Sequence, residues 1–180
     1  DEMRAQRPSR KVVVVPAYCC PSVPETVRAA GLELRAAPVT ANLNLDLERA
    51  GSVLAGDVLA VVGVHMYALP LDLPRLKALA DAAGAYTIDD AAHAVTAPLG
   101  LQGDAGILSF NQSKTLTVGS PDGGGALFVT NEALRPGLAR RHAALPEGKS
   151  RLRTYVWFAL RFGIEVTPRL GLPLDEGEPL

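Results

Sequence analysis

The sequence predicts an α/β protein: a mainly parallel β-sheet flanked by helices. Three observations lead there. Apolar runs alternate with amphipathic ones along most of the 180 residues, as in successive βαβ units. The four valines of Val12–Val15 leave no polar face, as expected of a buried strand, and Val58–Val64 is a second strong apolar run. Aspartates and glycines punctuate the amphipathic runs at the places where helices start and stop.

In chain order, Lys11–Val15 is the first expected strand. Ser22 followed by Glu25 has the spacing of a capping box, Pro24 is tolerated in a first turn, and Gly31 ends the helix. Glu33–Val39 returns as a strand. Asp46 caps a helix reaching about Leu54, and Val58–Val64 follows as a strand. Asp72 caps a third helix, with Leu73, Leu76, Leu79 and Ala80 on one face and Gly84 after its end. Ala85–Ile88 is a short strand leading into Asp89 and Asp90. Gly106–Phe110 and Gly125–Thr130 are two more strands, separated by a loop holding Gly119 and Gly123. Beyond Thr130 the expected elements are helices over Glu132–Ala144 and Ser150–Gly163, then a Pro- and Gly-rich tail from Thr167. The division this implies is an α/β core over residues 1–145 and a helical extension over 146–180.

Composition narrows the function class. A net charge of −1 supplies no field for steering toward nucleic acid or an anionic membrane. No apolar run approaches the roughly twenty residues of a membrane span, and the first residues lack the apolar stretch of a signal peptide. Cys19 and Cys20 are adjacent, a poor geometry for an unstrained disulfide, so a reduced, cytoplasmic setting is the expectation. No Cys/His spacing points to zinc, and no Walker or Rossmann glycine fingerprint occurs.

Ligands of open α/β sheets gather at the carboxyl ends of the strands. Two segments stand at such ends. In Ile88-Asp89-Asp90-Ala91-Ala92-His93, a carboxylate can pair with a protonated ring nitrogen, with His93 about one helical turn further on; alternatively, Asp90 caps a helix starting at Ala91. In Ser109-Phe110-Asn111-Gln112-Ser113-Lys114, a lysine just past a strand can form a Schiff base with a carbonyl cofactor. A serine hydroxyl and glycine amides nearby can take a phosphate. The bland alternative is a surface lysine beside a glycine turn. His65, after the strand Val58–Val64, is expected to bond loop backbone rather than to act in catalysis.

Taken together, the two segments resemble the DegT/DnrJ/EryC1/StrS family of sugar aminotransferases, which depend on pyridoxal phosphate (PLP). The resemblance spans roughly Val12 to Leu134. It includes Val12-Val13-Val14-Val15-Pro16-Ala17, Val64-His65-Met66-Tyr67, the Asp89-Asp90 segment, and Ser109-Phe110 with Lys114 five residues after the serine. It ends with Gly123-Gly124-Gly125-Ala126 running into Val129-Thr130-Asn131.

This resemblance implies the type I, aspartate-aminotransferase-like large domain, incomplete at both ends. It implies that Lys114 is the lysine joined to the cofactor, that Asp90 pairs with the pyridine nitrogen, and that Ser109 contacts the phosphate. His93 stands where a glutamine near the ring oxygen is common, and Cys20 stands where an aromatic ring would stack on the cofactor. Arg140, Arg141 and His142 fall near an Asn-His pair that in relatives reaches the partner subunit. The implied activity is transfer of an amino group, from glutamate, to a keto-sugar, by a homodimer with small-molecule substrates only. An inactive partner subunit of the same fold, or another type I PLP enzyme such as a lyase, are the alternatives.

Overall fold

The computed structural model describes residues 1–54, 56–94, 102–111, 114 and 124–145. The expected helix Ser150–Gly163, the boundary at residue 146, and Gly119 and Gly123 lie outside the described residues.

Six strands form one sheet: β1 (Val12–Pro16), β2 (Glu33–Ala37), β3 (Val58–Val64), β4 (Tyr86–Asp90), β5 (Ala105–Ser109) and β6 (Gly125–Val129). Their spatial order is β2-β1-β3-β4-β5-β6, parallel throughout except for the antiparallel β5–β6 pair. The expected mainly parallel sheet is present. The chain moves outward from β1 to β2 and then returns to the other side of β1, so the switch point lies between β1 and β3.

Among the described residues, five α-helices accompany the strands: α1 (Glu2–Gln6), α2 (Ser22–Ala29), α3 (Leu47–Val53), α4 (Leu73–Ala82) and α5 (Arg135–Ala143). Side-chain alternation along β1 shows how two layers are fed. Val12 and Val14 join Leu45, Ala50, Leu73 and Leu76 in the core beneath α3 and α4. Val13 and Val15 join Val27, Val62 and Met66 on the α2 side. A strand that serves two cores has no room for polar residues, which is why the valine runs were readable. Gly63 is a close-approach position: a Cβ there would lie 2.8–2.9 Å from carbons of Leu71, Leu73 and Leu76.

The caps at Asp46 and Asp72 form as expected. Asp46 Oδ1 accepts from the amides of Glu48 (3.0 Å) and Arg49 (3.3 Å), and Asp72 Oδ1 from that of Arg75 (3.1 Å). Gly31 and Gly84 both adopt positive φ after their helices.

The Ser22–Glu25 capping box does not form. Pro21 is already helical (φ −53°, ψ −29°), so the helix begins at Ser22, and no side chain caps it. The Ser22 hydroxyl donates instead to Cys20 Sγ at 3.1 Å. The second strand is shorter than expected, and Val39 forms only an isolated bridge with Leu45. The fourth strand extends through Asp90, because Ile88, Asp89 and Asp90 keep register with Val62, Gly63 and Val64 of β3.

Buried Asp104 fixes the antiparallel return. Its Oδ2 accepts the Thr87 amide and its Oδ1 the Asn131 amide group, both at 2.8 Å. Its carbonyl accepts from the amides of Thr130 and Asn131. One carboxylate thereby ties β4, the start of β5 and the end of β6 together.

Candidate active site

The carboxyl ends of β1, β3, β4 and β5 lie along one edge of the sheet, because these strands are parallel. β1 delivers Tyr18, Cys19 and Cys20, β3 delivers His65 and Tyr67, β4 delivers Asp89 and Asp90, and β5 delivers Ser109 and then Lys114. The first and second of these straddle the switch point.

Adjacent strand residues point to opposite faces, so Asp89 and Asp90 have different surroundings. Asp89 is fully buried and meets His65: its Oδ1 lies 3.0 Å from Nε2. His65 Nδ1 accepts the Leu71 amide at 3.1 Å, so the ring proton sits on Nε2 and is donated to Asp89. His65 bonds loop backbone, as expected, and it also engages Asp89.

Asp90 is 6% exposed. Its Oδ1 accepts the Ala92 amide at 3.0 Å, closing a turn rather than capping a helix. Its other oxygen accepts no hydrogen bond among the described residues. Burial pushes the Asp90 carboxyl above its ordinary pKa, opposed in turn by the Ala92 N–H, Lys114 and His93. A buried carboxylate with an oxygen open to a ligand is suited to one that brings a protonated nitrogen.

Lys114 Nζ lies 2.8 Å from His93 Nε2. With Lys114 charged, the ammonium donates and Nε2 accepts, so the ring proton is on Nδ1; with a neutral amine the roles can reverse. Two bonds fold the chain between Ser109 and Lys114: the Asn111 amide donates to Ser109 Oγ (3.4 Å), and the Lys114 amide donates to the Asn111 carbonyl (2.9 Å).

Cys20 is exposed. The Ser22 hydroxyl, then the Ser22 amide, hold its thiol below the ordinary value, and Lys114 acts in the same direction against a partial burial effect and Asp90. Both groups are therefore close enough to Cys20 to act on it electrostatically. Cys19, half-buried, is pushed the other way, chiefly by burial.

One pairing escaped the sequence reading. The hydroxyls of Tyr18 and Tyr67 lie 2.8 Å apart, and the Tyr67 ring stands edge-on to His93 with centroids 6.2 Å apart. Positions 49 apart in sequence give no local signal of such contact. Of the basic cluster in α5, Arg141 pairs with Asp1 at 3.2 Å and Glu2 at 3.6 Å.

The model of the DegT/DnrJ/EryC1/StrS aminotransferase family matches residues 3–150. The chain belongs to this family. Among its curated relatives, the UDP-N-acetyl-3-dehydro-α-D-glucosamine 3-aminotransferase of Acidithiobacillus ferrooxidans is 39% identical over 79 residues, covering 41% of this chain and 21% of that protein. The L-glutamine:2-deoxy-scyllo-inosose aminotransferase of Streptomyces kanamyceticus is 36% identical over 118 residues, covering 60% of this chain and 26% of that protein. The solved sugar aminotransferase CalS13 of Micromonospora echinospora superposes with a TM-score of 0.65 at 26% identity, over 84% of this chain and 44% of that one. The chain thus spans about a quarter of the length of these curated relatives.

Family membership accords with the donor set at the sheet edge. PLP offers a protonated ring nitrogen, an aldehyde and a phosphate, and Asp90, Lys114 and Ser109 match these three groups in kind. Among the described residues no cluster of His, Cys, Asp or Glu is able to hold a metal ion, and no helix is long and apolar enough to cross a membrane.

Proposed function

We propose that this DegT/DnrJ/EryC1/StrS chain forms the cofactor-binding core of a PLP-dependent aminotransferase. It moves an amino group from glutamate, or its amide glutamine, to a keto-sugar or related cyclic polyhydroxy ketone, nucleotide-linked in the leading case. The observation that carries this reading is the placement of Lys114 Nζ 2.8 Å from His93 Nε2 at the strand edge that also carries buried Asp90.

Each residue has a task in that chemistry. With PLP bound, the open oxygen of Asp90 would accept the pyridine N–H and keep that nitrogen protonated, Ser109 would donate to the phosphate, and Cys20 would lie against the ring. Lys114 would hold the cofactor through its amine, and that amine, when free, would carry the proton away from the donor's Cα rather than return it there. His93 receives the hydrogen bond of the displaced amine and keeps it beside the reacting carbon. The bound cofactor supplies an electron-withdrawing ring that stabilises the charge left when that proton departs.

The names of the curated relatives support the acceptor class, since both act on cyclic ketones. The core over 1–145, an extension over 146–180, a homodimer and a cytoplasmic location belong to the same proposal.

The test is a pair of half-reactions on PLP-loaded protein. Glutamate or glutamine should convert the cofactor to its aminated form, and 2-deoxy-scyllo-inosose or UDP-N-acetyl-3-dehydro-α-D-glucosamine should convert it back. Release of ammonia and a keto acid from β-substituted amino acids, without amination of either ketone, would instead make the chain a lyase.

A further inference from the structure

Between β3 and α4, Tyr67 adopts φ 51° and ψ 34°, and the next residue, Ala68, has φ 63°. Two consecutive non-glycine residues in the left-handed region are strained, and such strain persists only where the surroundings over-determine it. Here they do. Buried Asn44 holds the loop from below: its side-chain nitrogen donates to the carbonyls of Leu69 (3.3 Å) and Pro70 (3.0 Å), and its oxygen accepts the Met66 amide (3.3 Å). His65 closes the loop across its neck by accepting the Leu71 amide at 3.1 Å, and is itself anchored to Asp89.

The outcome of this bracing is an exposed aromatic ring. Tyr67 is 59% exposed although Asn44 and His65 brace the loop that carries it. Its hydroxyl meets that of Tyr18 across the switch point, and its ring borders His93, the hydrogen-bond partner of Lys114. Strain, bracing and exposure together are costly for packing alone, because the ring buries little.

We propose that Tyr67 is a specificity-determining residue that contacts the ketone acceptor, with Tyr18 as its hydroxyl partner and Asn44 and His65 as positioning residues. A tyrosine face packs against the C–H face of a hydroxylated ring, and paired phenols both donate to and accept from its hydroxyl groups. This inference rests on the function proposed above and adds the element that selects the acceptor.

The test uses full-chain PLP-loaded protein, glutamate or glutamine as donor, and the two ketones already named as probes. Tyr67→Ala should raise the acceptor KM ~10-fold or more while the donor half-reaction changes less than ~2-fold, with Tyr67→Phe falling between. Asn44→Ala should move the acceptor KM in the same direction with Tyr67 itself intact. If Asn44→Ala does not fold, the Tyr67 variants decide alone. An unchanged acceptor KM in Tyr67→Ala, equal losses in both half-reactions, or a wild-type donor half-reaction reversed by neither ketone would overturn the inference. Failure of wild-type protein to capture PLP on Lys114 would instead overturn the proposed function, a distinct result.

Discussion

Lys114 Nζ and His93 Nε2, 21 positions apart in sequence, stand 2.8 Å from each other. His93 lies beyond the end of β4 and Lys114 beyond the end of β5, so the parallel β4–β5 pairing brings them to one edge. Asp90, on the same turn as His93, contributes the buried carboxylate.

Asp90→Asn should keep the fold, because Asn Oδ1 can still accept the Ala92 amide. It should also retain PLP but lose transamination by ~100-fold or more, since a neutral amide no longer holds the ring nitrogen protonated. Steady-state rates together with the cofactor absorbance check both halves. Full activity would remove Asp90 from the electronic role.

The same substitution has a stability consequence in cofactor-free protein. Burial raises the folded-state pKa of Asp90 above its unfolded value, so the folded form holds the proton more tightly. That contribution is present below the unfolded pKa and is lost as pH rises through the raised folded value. Above that folded value the ionised carboxylate therefore opposes folding, and apo Asp90→Asn should melt at or above the wild-type temperature. The difference should shrink as pH falls through that window. A large loss of Tm above that value would show that the carboxylate stabilises the apo protein.

His65→Ala should cost ~3 kcal/mol in urea unfolding, because it removes the acceptor of the Leu71 amide and a hydrogen-bond donor to fully buried Asp89 together. Asp89→Asn, which can still accept the Nε2 proton, should cost less. Equal losses would mean that the charge of Asp89, rather than its hydrogen bond, carries the pair.

Cys20 should react with iodoacetamide ahead of Cys19. It is exposed and its thiol is held down chiefly by Ser22, whereas burial pushes the thiol of Cys19 up. Ser22→Ala should slow the labelling of Cys20, and PLP should protect it if Cys20 lies against the ring. Peptide mapping of singly labelled protein separates the two neighbours.

Much of this architecture was legible locally. Valine runs marked β1 and β3 because both faces of each are buried, and Asp46, Asp72, Gly31 and Gly84 marked helix ends because caps and left-handed turns are decided within four residues. Ser22 misled for the opposite reason. Its spacing to Glu25 fits a box, but Pro21 already has helical dihedrals and starts the helix one residue early. The extension of β4 through Asp90 was set by pairing with β3, which local propensity does not report. At the site, Lys114, Asp90, His93, Ser109 and Cys20 were named from the family resemblance, and the structure joins Lys114 to His93, puts Asp90 within electrostatic reach of both, and puts Cys20 within that of Lys114. Ser109 is placed beside them only through its own loop. The Tyr18–Tyr67 pair depends on the β1–β3 pairing, and the Asn44 brace joins residues 22 apart, so no short window of sequence reports either.

The most direct test is covalent capture of the cofactor. Purified protein incubated with PLP and reduced with borohydride should carry the pyridoxyl group on Lys114, and Lys114→Ala should carry none while retaining its fold by circular dichroism. Labelling spread over Lys11, Lys77 and Lys149, or undiminished in Lys114→Ala, would contradict the assignment of this sheet edge as a PLP site.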